Sequence, residues 1–118
     1  MERFEIIFYK DEHGNSEVKA FIEGLRPNLK RKTFQELMLL EERGNLVREP
    51  YSKCLHDGLF ELRVDCGTDG VRVFYFFFEG RKILVTNGFV KKTQKTPRYQ
   101  MHKAFRMKKD WESRCGHE

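Results

Sequence analysis

The chain has 118 residues, 39% of them hydrophobic and 35% charged, with a net charge of +5 at neutral pH, which suits one packed domain over residues 1–118 and not two. Cys54, Cys66 and Cys115 form no CxxC pair, and His13, His56, His102 and His117 show no HxxxH spacing, so a metal site is not expected and no cofactor is implied. Unpaired thiols, no signal peptide and no apolar run near the roughly 20 residues of a membrane span point to a cytoplasmic protein with no membrane contact.

Phe4 to Tyr9 is a β-branched and aromatic run and reads as a first strand. After the turn residues Asp11 to Asn15, Ser16 reads as the N-cap of a short helix whose apolar face is Val18, Phe21, Ile22 and Leu25. Gly24 and Pro27 end it. A second helix is expected from about Asn28 to Arg43, with Leu29, Phe34, Leu37, Met38 and Leu40 turned inward and Gly44 as its stop. Residues 44–58 lack periodicity and read as a loop. Phe60, Leu62 and Val64 then alternate with Glu61, Arg63 and Asp65, the pattern of a half-buried strand with Glu61 as a surface acid. Cys66 to Gly70 supplies a turn. Val71 to Phe78 is apolar on both faces except for Arg72 and reads as a central strand, and Glu79-Gly80 turns it into a last strand from Lys82 to Lys91. Thr96 followed by Pro97 marks a helix start, with Met101, Ala104, Phe105 and Trp111 on its apolar side. The order β-α-α-β-β-β-α is a small α+β domain: an N-terminal strand and helical hairpin on a small antiparallel sheet, with a C-terminal helix.

The charge is unevenly spread. Residues 81–109 hold ten Lys/Arg and no Asp or Glu, whereas the rest of the chain is balanced or slightly acidic. A one-sided block laid on folded elements suits a polyanionic partner. Hairpin geometry brings separated cations near one another: a turn at Glu79 to Arg81 sets Arg72 opposite residues 87–89, and a turn near Thr68 sets Arg63 opposite or diagonal to Arg72. Arg63, Arg72, Lys91 and Lys92 can thus meet at one end of the sheet. Like charges so close repel, and a bound phosphate relieves the repulsion. Thr93, Thr96 and the free amides of the last helix add neutral phosphate contacts.

Each of these residues also has a plainer role. Arg63 can pair with Glu61 or Asp65 on a solvated face. Lys91 and Lys92 can be edge-protecting lysines. His56 and His102 read as surface residues, and Tyr99 as either a packing residue or a platform for a base. Arg72 is the hardest to dismiss, since a charge in an apolar central strand costs stability unless it finds a partner.

Three ordered motifs, Leu59-Phe-Glu-Leu-Arg63, Gly70-Val-Arg72-Val-Phe-Tyr75 and Gly88-Phe-Val-Lys-Lys-Thr-Gln-Lys-Thr-Pro97, resemble the phage-derived, HigB-like branch of the RelE/ParE toxins. The resemblance covers most of the chain, is sharpest between residues 55 and 100, and implies a RelE-like fold. It further implies the toxin of a type II toxin–antitoxin system, a metal-independent endoribonuclease that cuts mRNA on the ribosome. A small helix-turn-helix antitoxin, HigA-like, would hold it inactive. Arg72 matches the arginine that holds the reacting phosphate, Lys91 and Lys92 the basic position after the last strand, and Arg63 the basic position of the preceding strand. Tyr99 is an approximate counterpart of RelE's tyrosine. Lys53, His56, Thr93, Lys95, Thr96 and Arg98 complete the expected RNA-binding set. The chain departs from RelE itself, which has lysines where Leu59 and Glu61 stand here, so Glu61, His56 and Tyr99 all remain candidates for the general base. A ParE-like inhibitor of DNA gyrase and a non-catalytic nucleic-acid-binding module are the competing readings.

Overall fold

In a computed structural model, which describes residues 3–93 and 95–115, the elements run β1 (Glu5–Phe8), α1 (Glu17–Glu23), α2 (Pro27–Arg43), a 3-10 turn (Gly44–Leu46), β2 (Ser52–Cys54), β3 (Phe60–Cys66), β4 (Asp69–Phe78), β5 (Lys82–Val90) and α3 (Arg98–Arg114). His117 lies outside the described residues, as does Gln94 within the last motif. The strands form one sheet in the order β1-β5-β4-β3-β2, so the apolar strand β4 takes the centre, as its two-sided pattern predicts. This is the α+β arrangement expected, with two differences in the sheet. β1 pairs parallel to β5, which the long connection through α1, α2 and the β2–β4 strands permits, since parallel neighbours cannot be joined by a tight turn. Ser52–Cys54, expected within a loop, adds an antiparallel edge strand beside β3; three residues are too few to show an alternation.

Period-two alternation along β3, β4 and β5 sorts side chains onto the two faces. One face carries Leu62, Val64, Val71, Val73, Tyr75, Ile83 and Val85, which pack with Val18, Ile22, Leu29, Leu37 and Leu40 of α1 and α2. Each such buried aliphatic side chain contributes about 1.5–3 kcal/mol relative to exposure. The other face carries Phe74 and Phe76 against Ala104, with Met101 and Phe105 of α3 at the margin. Phe76 meets Phe105 edge-on with ring centroids 5.5 Å apart, and Phe78 meets Trp111 at 4.4 Å.

Helix starts and stops follow local chemistry. Ser16 caps α1 as expected, its hydroxyl accepting from the Lys19 amide at 3.2 Å. α2 ends at Gly44, whose φ of 53° suits glycine and whose missing side chain leaves room for the Phe4 ring. Met38 does not face inward. It is 57% exposed, because the buried row Leu29, Thr33, Leu37 and Leu40 lies about 100° around the helix from it. At α3 the N-cap is Pro97, with no side-chain cap; Thr96, expected in that role, is used elsewhere.

One irregularity bears on the site. β5 advances from Val85 to Gly88 while β4 steps only from Tyr75 to Val73, so Thr86 and Asn87 share the place opposite Phe74 in a bulge. Asn87 turns its amide onto α3, donating to the Gln100 carbonyl and side-chain oxygen at 3.1 Å each. That fixes the first turns of α3 relative to the end of β5.

Candidate nucleic-acid interface

The register places Arg63 directly opposite Arg72 and Arg72 opposite Phe89, as the turn positions predict. Both arginines belong to the α3 face. Arg72 is only 7% exposed, and its Nη1 donates to Asp65 Oδ1 and to the Val71 carbonyl, each at 3.0 Å. The partner that a buried charge requires is thus within the chain. Lys91 lies alongside, its amide bonded to the Gly70 carbonyl at 2.8 Å and its Cβ closing on the same open side of Gly70 as the Arg72 guanidinium. Lys91 and Lys92 line a depression with Thr68, Thr93, Asp65 and Asp69. The cations do gather at one end of the sheet, but around carboxylates.

Glu61, read from sequence as a surface acid, is 1% exposed. Alternation assigns it to the side away from Leu62, and that side is covered by α3 and the chain leading into it. Its carboxylate receives Arg63 Nε at 3.3 Å on one oxygen and the Thr96 hydroxyl at 2.7 Å on the other. A buried carboxylate must find donors, and that demand takes Thr96 from its expected capping role. The result is a bolt between β3 and the Thr93–Pro97 segment. Arg63 also faces Glu49 at 3.8 Å.

A second, larger concavity of about 690 Å³ lies beside this bolt. The end of β2 and its following turn contribute Lys53, Cys54, Leu55 and His56; the segment after β5 contributes Thr93, Lys95 and Thr96; α3 contributes Arg98 and Met101. All six residues expected to bind RNA, Lys53, His56, Thr93, Lys95, Thr96 and Arg98, line it. Among the described residues, Lys53, Lys95 and Arg98 are exposed and form no ion pair. Their charges repel one another across the cleft and favour an anion between them. The amides of Arg98 and Tyr99 precede the first intrahelical bonds, which run from Gln100 and Met101 back to Pro97, so the start of α3 offers further N–H donors.

His56 has a defined setting. Its Nδ1 lies 2.9 Å from Asp57 Oδ2, and its ring rests on Phe105 with centroids 5.2 Å apart. Asp57 and Gly58 turn the chain with φ of 51° and 80°, which holds the carboxylate back against the imidazole. With Nδ1–H donated to Asp57, Nε2 is left to accept a proton. The adjacent His-Asp-Gly was a visible sequence signal for such a turn.

Tyr99 stands apart from the cleft. It lines a groove of about 450 Å³ with Phe21, Phe89, Val90, Lys92 and Pro97, on the other side of the Thr93–Pro97 segment. Of the general-base candidates, Glu61 is buried with both oxygens engaged, Tyr99 lies outside the cleft, and His56 lines it. Sequence reasoning missed Asp65 as the partner of Arg72, Asp57 as the partner of His56, and the edge strand that carries Lys53. Among the described residues no three His, Cys, Asp or Glu side chains are grouped to hold a metal ion, and no helix is long and apolar enough to cross a membrane.

Residues 20–109, from within α1 into α3, match the family described as Phage derived protein Gp49-like (DUF891). No curated protein matches the chain.

Proposed function

The chain belongs to the Gp49-like family, a family of RelE/ParE-type, toxin-like proteins, and from that premise we propose that it is the toxin of a type II toxin–antitoxin system and cuts mRNA. The observation that carries the reading is the cleft, where Lys53, Lys95 and Arg98 stand without acidic partners among the described residues, beside an imidazole engaged at Nδ1 by Asp57. RNA brings its own nucleophile, so the protein need only align a 2′-hydroxyl with the adjacent phosphate and stabilise the charge that develops. His56 Nε2 accepts the 2′-hydroxyl proton, the 2′-oxygen bonds to phosphorus, and the bond from phosphorus to the 5′-oxygen breaks. The leaving oxygen takes a proton from the ammonium of Lys53 or Lys95. The products are a 2′,3′-cyclic phosphate and a 5′-hydroxyl end. Arg98 and the free amides of α3 neutralise the non-bridging oxygens.

Arg72 and Lys91 form a second cationic position across Thr93. Because Asp65 is 60% exposed at its side chain, it can turn to solvent when a neighbouring phosphate takes its place on Arg72. Message held on the ribosome is the proposed substrate, since a shallow cleft with one imidazole gains most where the RNA is already aligned. A HigA-like helix-turn-helix antitoxin is the proposed inhibitor.

The test is induction in cells, with mapping of RNA 5′-hydroxyl ends and of plasmid supercoiling. Wild-type protein should generate new 5′-hydroxyl ends within open reading frames, and His56→Ala should reduce them by about 10²- to 10⁴-fold. Loss of supercoiling with intact mRNA would overturn the ribonuclease reading in favour of gyrase inhibition. RNA binding without new ends would overturn it in favour of a binding module.

A further inference from the structure

We propose that the groove on the far side of the Thr93–Pro97 segment is a subsite for one unpaired nucleobase, with Tyr99 as its stacking platform. The inference rests on the ribonuclease reading and adds to it a place for a nucleotide next to the one cut. Tyr99 is 70% exposed, the most of any exposed large hydrophobic residue. Among the described residues its ring meets no other aromatic ring and its hydroxyl makes no hydrogen bond, so packing does not account for it. Val90 beside it is also exposed, and the Phe21 ring forms the opposite wall.

Gly88 makes that wall possible. A Cβ there would lie 3.0 Å from the Phe21 ring and 3.0 Å from the Arg72 carbonyl oxygen, so the ring would have to back away by a few tenths of an ångström. Without it, the ring of α1 lies directly on the backbone of β5. The groove therefore has aromatic residues from three elements, Phe21 of α1, Phe89 of β5 and Tyr99 of α3, and its lining includes Lys92 but no carboxylate. The neighbouring depression, by contrast, contains Asp65 and Asp69. An aromatic slot with a cation at its rim and no anion suits a base attached to a phosphate. It shares Thr93 and Pro97 with the cleft, so a strand crossing this segment keeps phosphate on one side and base on the other.

The experiment uses the full chain and short single-stranded RNA that is 2′-O-methylated to prevent cleavage, with 2-aminopurine or an abasic residue at successive positions. Binding should quench 2-aminopurine at one position adjacent to the cleavage point. Tyr99→Ala should abolish that quenching and weaken binding roughly 5- to 100-fold, as loss of one stacked base does. Tyr99→Phe should keep affinity for these RNAs and, on induction in cells, the new 5′-hydroxyl ends, because stacking needs the ring and not the hydroxyl. An abasic residue at the quenched position should cost the wild type the same factor and cost Tyr99→Ala nothing further. The inference is overturned if Tyr99→Ala binds intact and abasic RNA as wild type does, and the ribonuclease reading then stands on the His56→Ala result. A protein that binds none of these RNAs overturns the inference, and the absence of new 5′-hydroxyl ends in induced cells separately overturns the ribonuclease reading. Loss of cleavage in Tyr99→Phe overturns the stacking role in favour of proton transfer by the phenol.

Discussion

The two faces of the sheet are built on different principles, although the same strands make both. Toward α1 and α2 the strands bury aliphatic and aromatic side chains with few polar atoms. Toward α3 the buried set includes Glu61, Arg72, Thr86 and Asn87 alongside Phe74 and Phe76. The first face is held by volume and area, the second by a few directional contacts that also set where α3 and the preceding segment sit. One face stabilises the fold; the other positions the surface on which the cations stand.

Adjacent residues of β3 put this contrast to the test, since Leu62 faces one side and Glu61 the other. Leu62→Ala should lower unfolding stability by about 2–5 kcal/mol through the cavity it leaves, measured by denaturant titration. RNA cleavage per folded molecule should be unchanged, and a matching loss of cleavage would blur the division between faces. Glu61→Ala should cost less, about 1–2 kcal/mol, because Arg63 is half-buried and can be rehydrated while Thr96 loses its acceptor. Its effect on cleavage should be the larger one, since the segment bearing Lys95 is no longer bolted to β3. Wild-type cleavage by a folded Glu61→Ala protein would refute the bolt. The smallest effect concerns a polar contact buried on the apolar face, between Tyr75 and Ser52. Burial pushes the Tyr75 phenol up to about 12 from its usual 10, so the folded state holds the proton longer than the unfolded chain. The stabilisation is complete below pH 10 and is lost as pH rises toward 12. Tyr75→Phe should flatten that alkaline decline, at a cost of about 1 kcal/mol at neutral pH; an unchanged slope would mean that the phenol is not the group responsible.

What could be read from sequence follows the same division. The period-two alternation of β3 and the two-sided apolar run of β4 specify faces and the central position, because area burial depends on pattern alone. The register that selects the direct pairing is not fixed by sequence, but turn residues near Gly67 and Gly80 made Arg63 opposite or diagonal to Arg72 predictable. Pairings that depend on three-dimensional closure were not. Asp65 is seven residues from Arg72 and Thr96 is thirty-five from Glu61, and nothing local distinguishes either from a solvated polar residue. Lys53 and His56 were expected RNA contacts without support from any periodicity, since β2 is too short to show one. Their convergence with Lys95 and Arg98 is a property of the hairpin turn and of the way α3 returns across the sheet.

The parallel pairing of β1 with β5 also has a consequence in time. β1 is made well before β5, its partner in the sheet among the described residues, which begins at Lys82. The emerging chain must therefore hold its first strand and helix pair in waiting while β2, β3 and β4 are made, an arrangement of distant contacts that slows folding. A polypeptide released before Lys82 has neither the strand that completes the apolar core nor Lys95, Arg98 and α3. Premature termination thus yields fragments with half a cleft and with the edge of β4 left unpaired. The whole surface comes into being at once, when the last third of the chain arrives.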